Sequence, residues 1–118
     1  MEAGEIKIIR DHISKQELSE MAKKLFGDLV KAVVDIEQEI MALGGGVHAE
    51  EEVILMNREG SKREHTWGVN LYPEKKREDF VEFDSMINLK PAFGNRARGI
   101  ENPETRQKIL KIIEKLVQ

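Results

Sequence analysis

The chain has 118 residues, a formal net charge of −3 and no cysteine. This length is typical of one domain, and the lack of cysteine excludes disulfide bonds, thiolate metal ligands and thiol nucleophiles. The negative net charge argues against a broad nucleic-acid surface, and no apolar run is long enough to span a membrane.

The first residues contain two acids before the first base and no long apolar stretch, which is not the pattern of a signal peptide. We therefore expect a cytoplasmic protein with a single domain over residues 1–118. A charged fraction of 35% together with the absence of cysteine favours a thermophilic source.

Residues 5–10 predict a short strand with period-two alternation. A helix follows, with Ser14 as its N-cap, Glu17 completing a capping box and Gly27 as its left-handed stop. Its apolar side chains have helical spacing and form one stripe. They are Leu18, Met21, Ala22, Leu25 and Phe26.

Residues 30–37 alternate between two faces and are rich in β-branched side chains, which predicts a half-buried strand. Residues 40–43 would pair back against it as a hairpin. A helix is the alternative, because apolar residues in this region also fit a helical stripe. These are Leu29, Val33, Ile36, Ile40 and Leu43. We interpret the region as the hairpin.

Three glycines at 44–46 predict a hinge or tight turn. Residues 48–58 then begin with three glutamates close to the start, which suits the first turn of a helix. We expect Val53, Leu55 and Met56 of this helix to face the core of the domain. An extended conformation of the run VILMN is the alternative.

Residues 66–72 predict a strand in which Trp67 shares the buried face with two aliphatic neighbours. Residues 80–90 alternate again, so the two runs are predicted to form the longest hairpin of the chain. The last helix is predicted to start at the cap Asn102, with Pro103 in its first position.

The predicted order is therefore β-α-β-β-α-β-β-α. Short links between consecutive strands require antiparallel pairing. We predict an α+β fold of two layers, with a mostly antiparallel sheet of about five strands and the helices packed on one face.

Five motifs of the chain, VVDIE, GGGVHAEEE, WGVNLYP, EFDSMINLKP and GNRAR, together resemble a small family of uncharacterised prokaryotic proteins of about this length. The family is known only as a domain of unknown function, and the resemblance covers nearly the whole chain. Its members often have Asp at the position of Glu50 and Ser at the position of Ala97. The resemblance implies a single intracellular domain, but no activity, cofactor or functional residue.

The best candidate site is the arginine loop, which we define as residues 94–99. In an extended loop Arg96 and Arg98 would point to the same side, and Asn95 would add an amide donor. The nearby start of the last helix adds a positive dipole end. This arrangement predicts binding of an anion, with Asn95, Arg96 and Arg98 as ligand-binding residues.

A purely structural role for the arginine loop is the alternative. In that case the two arginines pair with acids of the chain, such as Asp84 or Glu101, and tie the loop to the sheet. Structural ion pairs of this kind imitate binding sites.

An enzyme would use Asp35, His48 and Asp84 with the arginine loop. A hydrolase triad of Ser85, His48 and Asp35 lacks the G-x-S-x-G surroundings of a nucleophile elbow. A metal site built from His48 with Asp35, Glu37 or Asp84 lacks a fixed ligand spacing, so we predict no metal and no cofactor. The three glycines are not followed by the Lys-Ser/Thr of a phosphate-binding P-loop.

RNA binding would use a set of basic residues with exposed aromatic partners. The basic residues are Lys75, Lys76, Arg77, Lys90, Arg96 and Arg98. The net charge opposes this function. The sequence thus predicts a small binding module that holds an anionic small molecule or a protein partner through the arginine loop. We also expect a homodimer, because sheet edges need cover and symmetric dimers are the commonest oligomers.

Overall fold

The computed structural model describes residues 5–118, except for the side chain of Arg77. The N-terminal pattern considered above begins at Met1, and its residues 1–4 lie outside the described part. The strands and helices occur in the predicted order. They are β1 (Lys7–Ile9), α1 (Lys15–Leu25), β2 (Val30–Asp35), β3 (Ile40–Leu43), α2 (His48–Glu59), β4 (Thr66–Leu71), β5 (Val81–Glu82) and α3 (Pro103–Leu116).

The five strands form one sheet in the order β1-β3-β2-β4-β5, and every pair of neighbours is antiparallel. The predicted α+β class and the five-stranded antiparallel sheet are therefore confirmed. Within residues 5–118, no helix has both the length and the apolar character needed to cross a membrane.

The helices lie on both faces of the sheet, so the predicted packing on one face, in two layers, was wrong. α1 and α3 cover the face that contains Ala32 and Val34. α2 covers the opposite face, where Leu55 packs against Val33 and Ala42. The physical reason is that β3 is apolar on both faces and β2 adds Val33 to the second face, so both sides of the central sheet have apolar surface to bury.

The start of α1 agrees with its predicted cap, because the Ser14 hydroxyl accepts the backbone N–H of Glu17 at 3.0 Å. The Glu17 carboxylate accepts a hydrogen bond from Lys7 Nζ of β1 at 2.7 Å. The glutamate therefore joins the helix to the sheet. Gly27 follows the helix with a φ of 94°, in agreement with its prediction.

The β2–β3 hairpin is confirmed, and the single helix considered as its alternative was wrong. Residues 48–59 do form a helix, but only part of its predicted core face is correct. Leu55 is fully buried, whereas Val53 is 52% exposed and Met56 is 40% exposed. The helix buries Glu51 and Glu52 in their place.

Trp67 is buried, as its alternation in β4 predicted. The long strand predicted over residues 80–90 was wrong, because β5 ends at Glu82 and residues 86–88 form a 3₁₀ turn. α3 begins as predicted, since the Asn102 side chain accepts the backbone N–H of Glu104 at 2.8 Å.

The cap of α1 provides a direct test of this part of the structure. Replacing Ser14 with Ala should lower the free energy of unfolding by about 1 kcal/mol, because the N–H of Glu17 loses its acceptor. Urea unfolding followed by circular dichroism would measure this loss. Gln16→Ala, an exposed change in the same helix, is the matched control, and equal unfolding midpoints for the two variants would contradict the assignment.

Candidate functional site

The segment after β5 is held against β4 by a side chain. The Asn88 amide donates from Nδ2 to the carbonyl of Gly68 at 3.0 Å, and its Oδ1 accepts the Gly68 N–H at 2.8 Å. One side-chain amide therefore makes the two bonds that a neighbouring strand would make with this peptide of β4. This explains why the alternating sequence of residues 80–90 does not continue as a strand.

Gly68 also allows two side chains to lie directly on β4. A Cβ atom at this position would be 2.5 Å from the Ser85 hydroxyl and 3.2 Å from the His48 ring. Any larger residue would push these groups away. The start of α2 and the segment after β5 therefore meet over the same glycine.

Asn95 organises the arginine loop from inside. Its Nδ2 donates to the carbonyls of Asn88 at 2.7 Å, Ala97 at 3.0 Å and Gly99 at 2.8 Å. Its Oδ1 accepts the N–H of Glu101 at 2.9 Å, and the side chain is buried. The amide predicted as a ligand donor is already used to shape the loop.

The two arginines differ in what they contact. Arg98 Nε donates to the Asp84 carboxylate at 2.6 Å, and both side chains of this pair are partly exposed. Arg96 is exposed, and only its backbone N–H is engaged, by the Glu101 carboxylate at 2.7 Å. Within the described residues its guanidinium has no ion-pair partner.

Large apolar side chains lie exposed on the same segment. Met86 is 61% exposed, and its sulfur is 3.3 Å from Arg98 Nη1. Phe93 is 53% exposed and stands three residues before Arg96. Sequence analysis placed Met86 in a strand and attached no role to Phe93, because their exposure depends on the turns that replace the strand.

Of the residues proposed for an enzyme, Asp35 lies apart from the others, whereas Asp84 and Arg98 are near enough to His48 for their charges to act on its pKa. His48 is buried and donates from Nε2 to the Val69 carbonyl at 2.8 Å, and burial lowers its pKa below the usual value of 6.5. Asp35 is fully buried and caps the turn after β2 by accepting the N–H groups of Glu37 and Gln38. Asp35 pairs with Thr66, three residues along β4 from Val69, which corresponds to about 10 Å.

This separation leaves the hydrolase triad without its parts in contact. The Ser85 hydroxyl accepts the N–H of Ile87 at 3.3 Å and is buried, while the Nε2 atom of His48 is engaged by a carbonyl. In the part of the chain that is described, no three histidine or acidic side chains are arranged to hold a metal ion.

Two buried glutamates of α2 were missed by sequence analysis. Glu51 Oε2 accepts the N–H of Gly45 at 2.8 Å, and within residues 5–118 its Oε1 has no partner. Burial raises the pKa of Glu51 well above its usual value of 4.5, and the hydrogen bond from Gly45 only partly opposes this shift. The signal was available in the spacing, because both glutamates share a helical stripe with Leu55.

Glu52 has the opposite environment. It accepts from Arg63 Nη1 at 3.0 Å and from the Thr66 hydroxyl at 2.5 Å. Beside it the Lys90 ammonium donates to the carbonyls of Arg63 and Thr66 and lies 4.3 Å from the centre of the Trp67 ring. Burial is the main cause that lowers the pKa of Lys90 to about 8.

The basic residues considered for RNA are dispersed. Lys90 is buried beneath the loop, and the Lys75 ammonium lies 4.4 Å over the Tyr72 ring. The side chain of Arg77 lies outside the described part of the chain. Arg96 and Arg98 are thus the members of this set that the arginine loop exposes.

Comparison with known proteins places the chain in a family. Residues 7–116 match the model of a family described as protein of unknown function (DUF5674), and the chain belongs to that family. This confirms the resemblance seen in the sequence. No curated protein and no solved structure matches the chain.

The loop geometry predicts which of its side chains are structural. Asn95→Ala should lower the free energy of unfolding by about 3 kcal/mol or more, because it leaves several buried backbone groups without partners. Arg98→Ala should lower it by less than about 1 kcal/mol, because exposed ion pairs contribute little. Chemical denaturation of both variants would measure these values, and a larger loss for Arg98→Ala would contradict the structure.

Glu51 predicts a pH dependence of stability. Between pH 4.5 and its raised pKa, the folded protein retains a proton that the unfolded chain releases, so stability falls as the pH rises through this interval. Glu51→Gln should reduce this fall, since glutamine cannot ionise. Urea unfolding at several pH values would compare the two proteins, with Glu20→Gln on the exposed side of α1 as control. An unchanged slope in Glu51→Gln would contradict the assignment.

Proposed function

We propose that the chain is a binding module whose docking loop, residues 84–101, binds an acidic segment of a partner protein. The observation that carries this proposal is the exposure of Met86 and Phe93 on the same segment as the exposed arginines Arg96 and Arg98, with the Met86 sulfur 3.3 Å from Arg98 Nη1. Arginine, methionine and aromatic side chains are enriched at protein interfaces.

The framework beneath these side chains supports a binding role. The buried amides of Asn88 and Asn95 hold the backbone of the docking loop through several hydrogen bonds. A segment held in this way loses little conformational freedom when it binds. The exposed side chains are therefore presented on a prepared surface.

The shape of the surface favours a protein over a small anion. Four depressions stand out on the described part of the chain, and none of them is lined by a residue of the docking loop. Small molecules are usually held in concave pockets, whereas arginine and exposed apolar side chains on a surface loop suit an extended partner. The charge of Arg96, which is unpaired among the described residues, selects an acidic partner.

The alternatives are less well supported. An enzyme that used Asp35 with His48 would need side chains that the sheet holds apart, and the Arg98–Asp84 pair is exposed rather than enclosed. An RNA-binding module would have to act without Lys90, which is buried. RNA binding nevertheless defines one outcome of the experiment below.

The proposal is tested with fluorescein-labelled synthetic peptides in which Asp or Glu alternates with Leu or Phe. Fluorescence anisotropy should show saturable binding that weakens as salt is added, because exposed charges are screened. The double variant Arg96→Ala with Arg98→Ala should raise Kd at least about tenfold, or ~1.4 kcal/mol. Phe93→Ser should also weaken binding.

The matched control is Lys23→Ala with Lys24→Ala, which removes the same charge from the exposed end of α1. This control should bind like the unmodified protein. Peptides with Lys in place of the acids, citrate and a single-stranded RNA serve as competitors. Equal binding by both double variants, or stronger binding of citrate or RNA than of the acidic peptides, would reject the acidic protein segment.

A cytoplasmic location accompanies this proposal and rests on composition, since the chain has no cysteine and is rich in charged residues. Cell fractionation with a tagged chain would test it. Recovery in the membrane or secreted fraction would contradict it.

A further inference from the structure

The outer face of α2 is apolar where a surface helix is usually polar. Val53 is 52% exposed and Ile54 is half-buried, and together with Ala49 and Glu50 they line a shallow depression of about 380 Å³. The glutamates Glu51 and Glu52 point inward instead. The ordinary pattern of an amphipathic helix is therefore partly reversed here.

Two opposite charges stand on either side of this apolar strip. Glu50 lies in the first turn of α2 and Arg58 in the last, eight residues apart along the chain, which is about 12 Å along the helix axis. Both are exposed, and neither has an ion-pair partner within residues 5–118.

This pattern is complementary to itself. When two copies of α2 pack antiparallel about a two-fold axis near Val53 and Ile54, Glu50 of each copy lies near Arg58 of the other. The same operation brings Val53 and Ile54 of the two copies together at the centre of the contact. Isologous interfaces require this kind of self-complementary surface.

We propose that the chain forms a homodimer through antiparallel packing of α2 on α2, with Val53 and Ile54 at its centre and Glu50–Arg58 ion pairs at both ends. A helix of 12 residues is about 18 Å long, so the interface is small and the dimer dissociates readily. The proposal does not depend on the docking loop.

The edge strand β1 is a poorer place for a second copy. It has only three residues, and the basic side chains Lys7 and Arg10 lie within it or next to it. Short, charged edge strands are a common protection against edge-to-edge pairing. The exposed charges of α2 do not protect it in this way, because they are complementary between two copies.

Sedimentation velocity over a concentration series tests the proposal. The unmodified chain should shift from monomer to dimer, and Val53→Glu should raise the dimer dissociation constant at least about tenfold. Phe26→Glu, which changes an exposed apolar residue directly after α1, should leave it unchanged. Far-UV circular dichroism would confirm that both variants are folded.

Charge reversal identifies the geometry. Glu50→Arg and Arg58→Glu should each weaken the dimer by about fivefold or more, because each places like charges at both ends of the interface. The two changes together should restore the dimer, since the pairs re-form with exchanged signs. An equimolar mixture of the two single variants should also restore dimerisation, as a mixed dimer, because each of its two end contacts then pairs an arginine of one copy with a glutamate of the other.

A chain that remains monomeric at every concentration, or a dimer that survives Val53→Glu, would overturn the proposal. So would a double charge reversal that fails to restore the dimer while keeping the fold. Arg96→Ala with Arg98→Ala provides the link to the proposed function: it should weaken peptide binding but leave the dimer intact, so the two proposals can fail separately.

Discussion

The pairing of the Asn88 amide with the Gly68 peptide is the interaction on which the functional surface depends. It satisfies the edge of β4 where β5 has ended, and so it releases residues 86–101 from the sheet without leaving buried backbone groups unpaired. Asn88 also donates to the carbonyl of Arg98, and its own carbonyl accepts from Asn95. The shape of the arginine loop is thus transmitted from β4 through two amide side chains.

Features that depend on local chemistry could be predicted from the sequence, whereas the region that depends on the Asn88–Gly68 contact could not. Ser14, Gly27 and Asn102 mark helix ends by local chemistry, so the bounds of α1 and α3 follow from short motifs. The prediction of a strand over residues 80–90 was wrong because alternation only describes which side chains are buried. The 3₁₀ turn that contains Asn88 buries Ile87 equally well. Here a side-chain amide makes the hydrogen bonds that a strand would make, and this replacement leaves no periodic pattern in the sequence.

The candidate site could also be predicted only in part from the sequence. Arg98 contacts Asp84, as the structural alternative for the arginine loop predicted, whereas Arg96 is exposed and its role in ligand binding stays a prediction. The role of Asn95 could not be read from its neighbours, because it depends on four backbone groups brought together by the fold. Asp35 and His48 are distant for a similar reason: the register of β2 against β4 decides their separation, and composition carries no record of register.

The buried glutamates of α2 account for its apolar outer face, and the docking loop lies next to this helix. Its glutamates face inward because each has a specific partner, the Gly45 N–H for Glu51 and the Arg63–Thr66 pair for Glu52, and this leaves aliphatic side chains on the outside. The docking loop packs beside α2 on the same face of the sheet, where Ile87 shares a cluster with Leu55.

A dimer through α2 would therefore carry two docking loops joined by a rigid base. Two linked sites bind a partner that has two acidic segments more tightly than either site alone, by an amount that depends on whether the partner can span them. A weak helix–helix contact and a loop of modest affinity are then consistent with one another, because neither has to supply the whole binding energy.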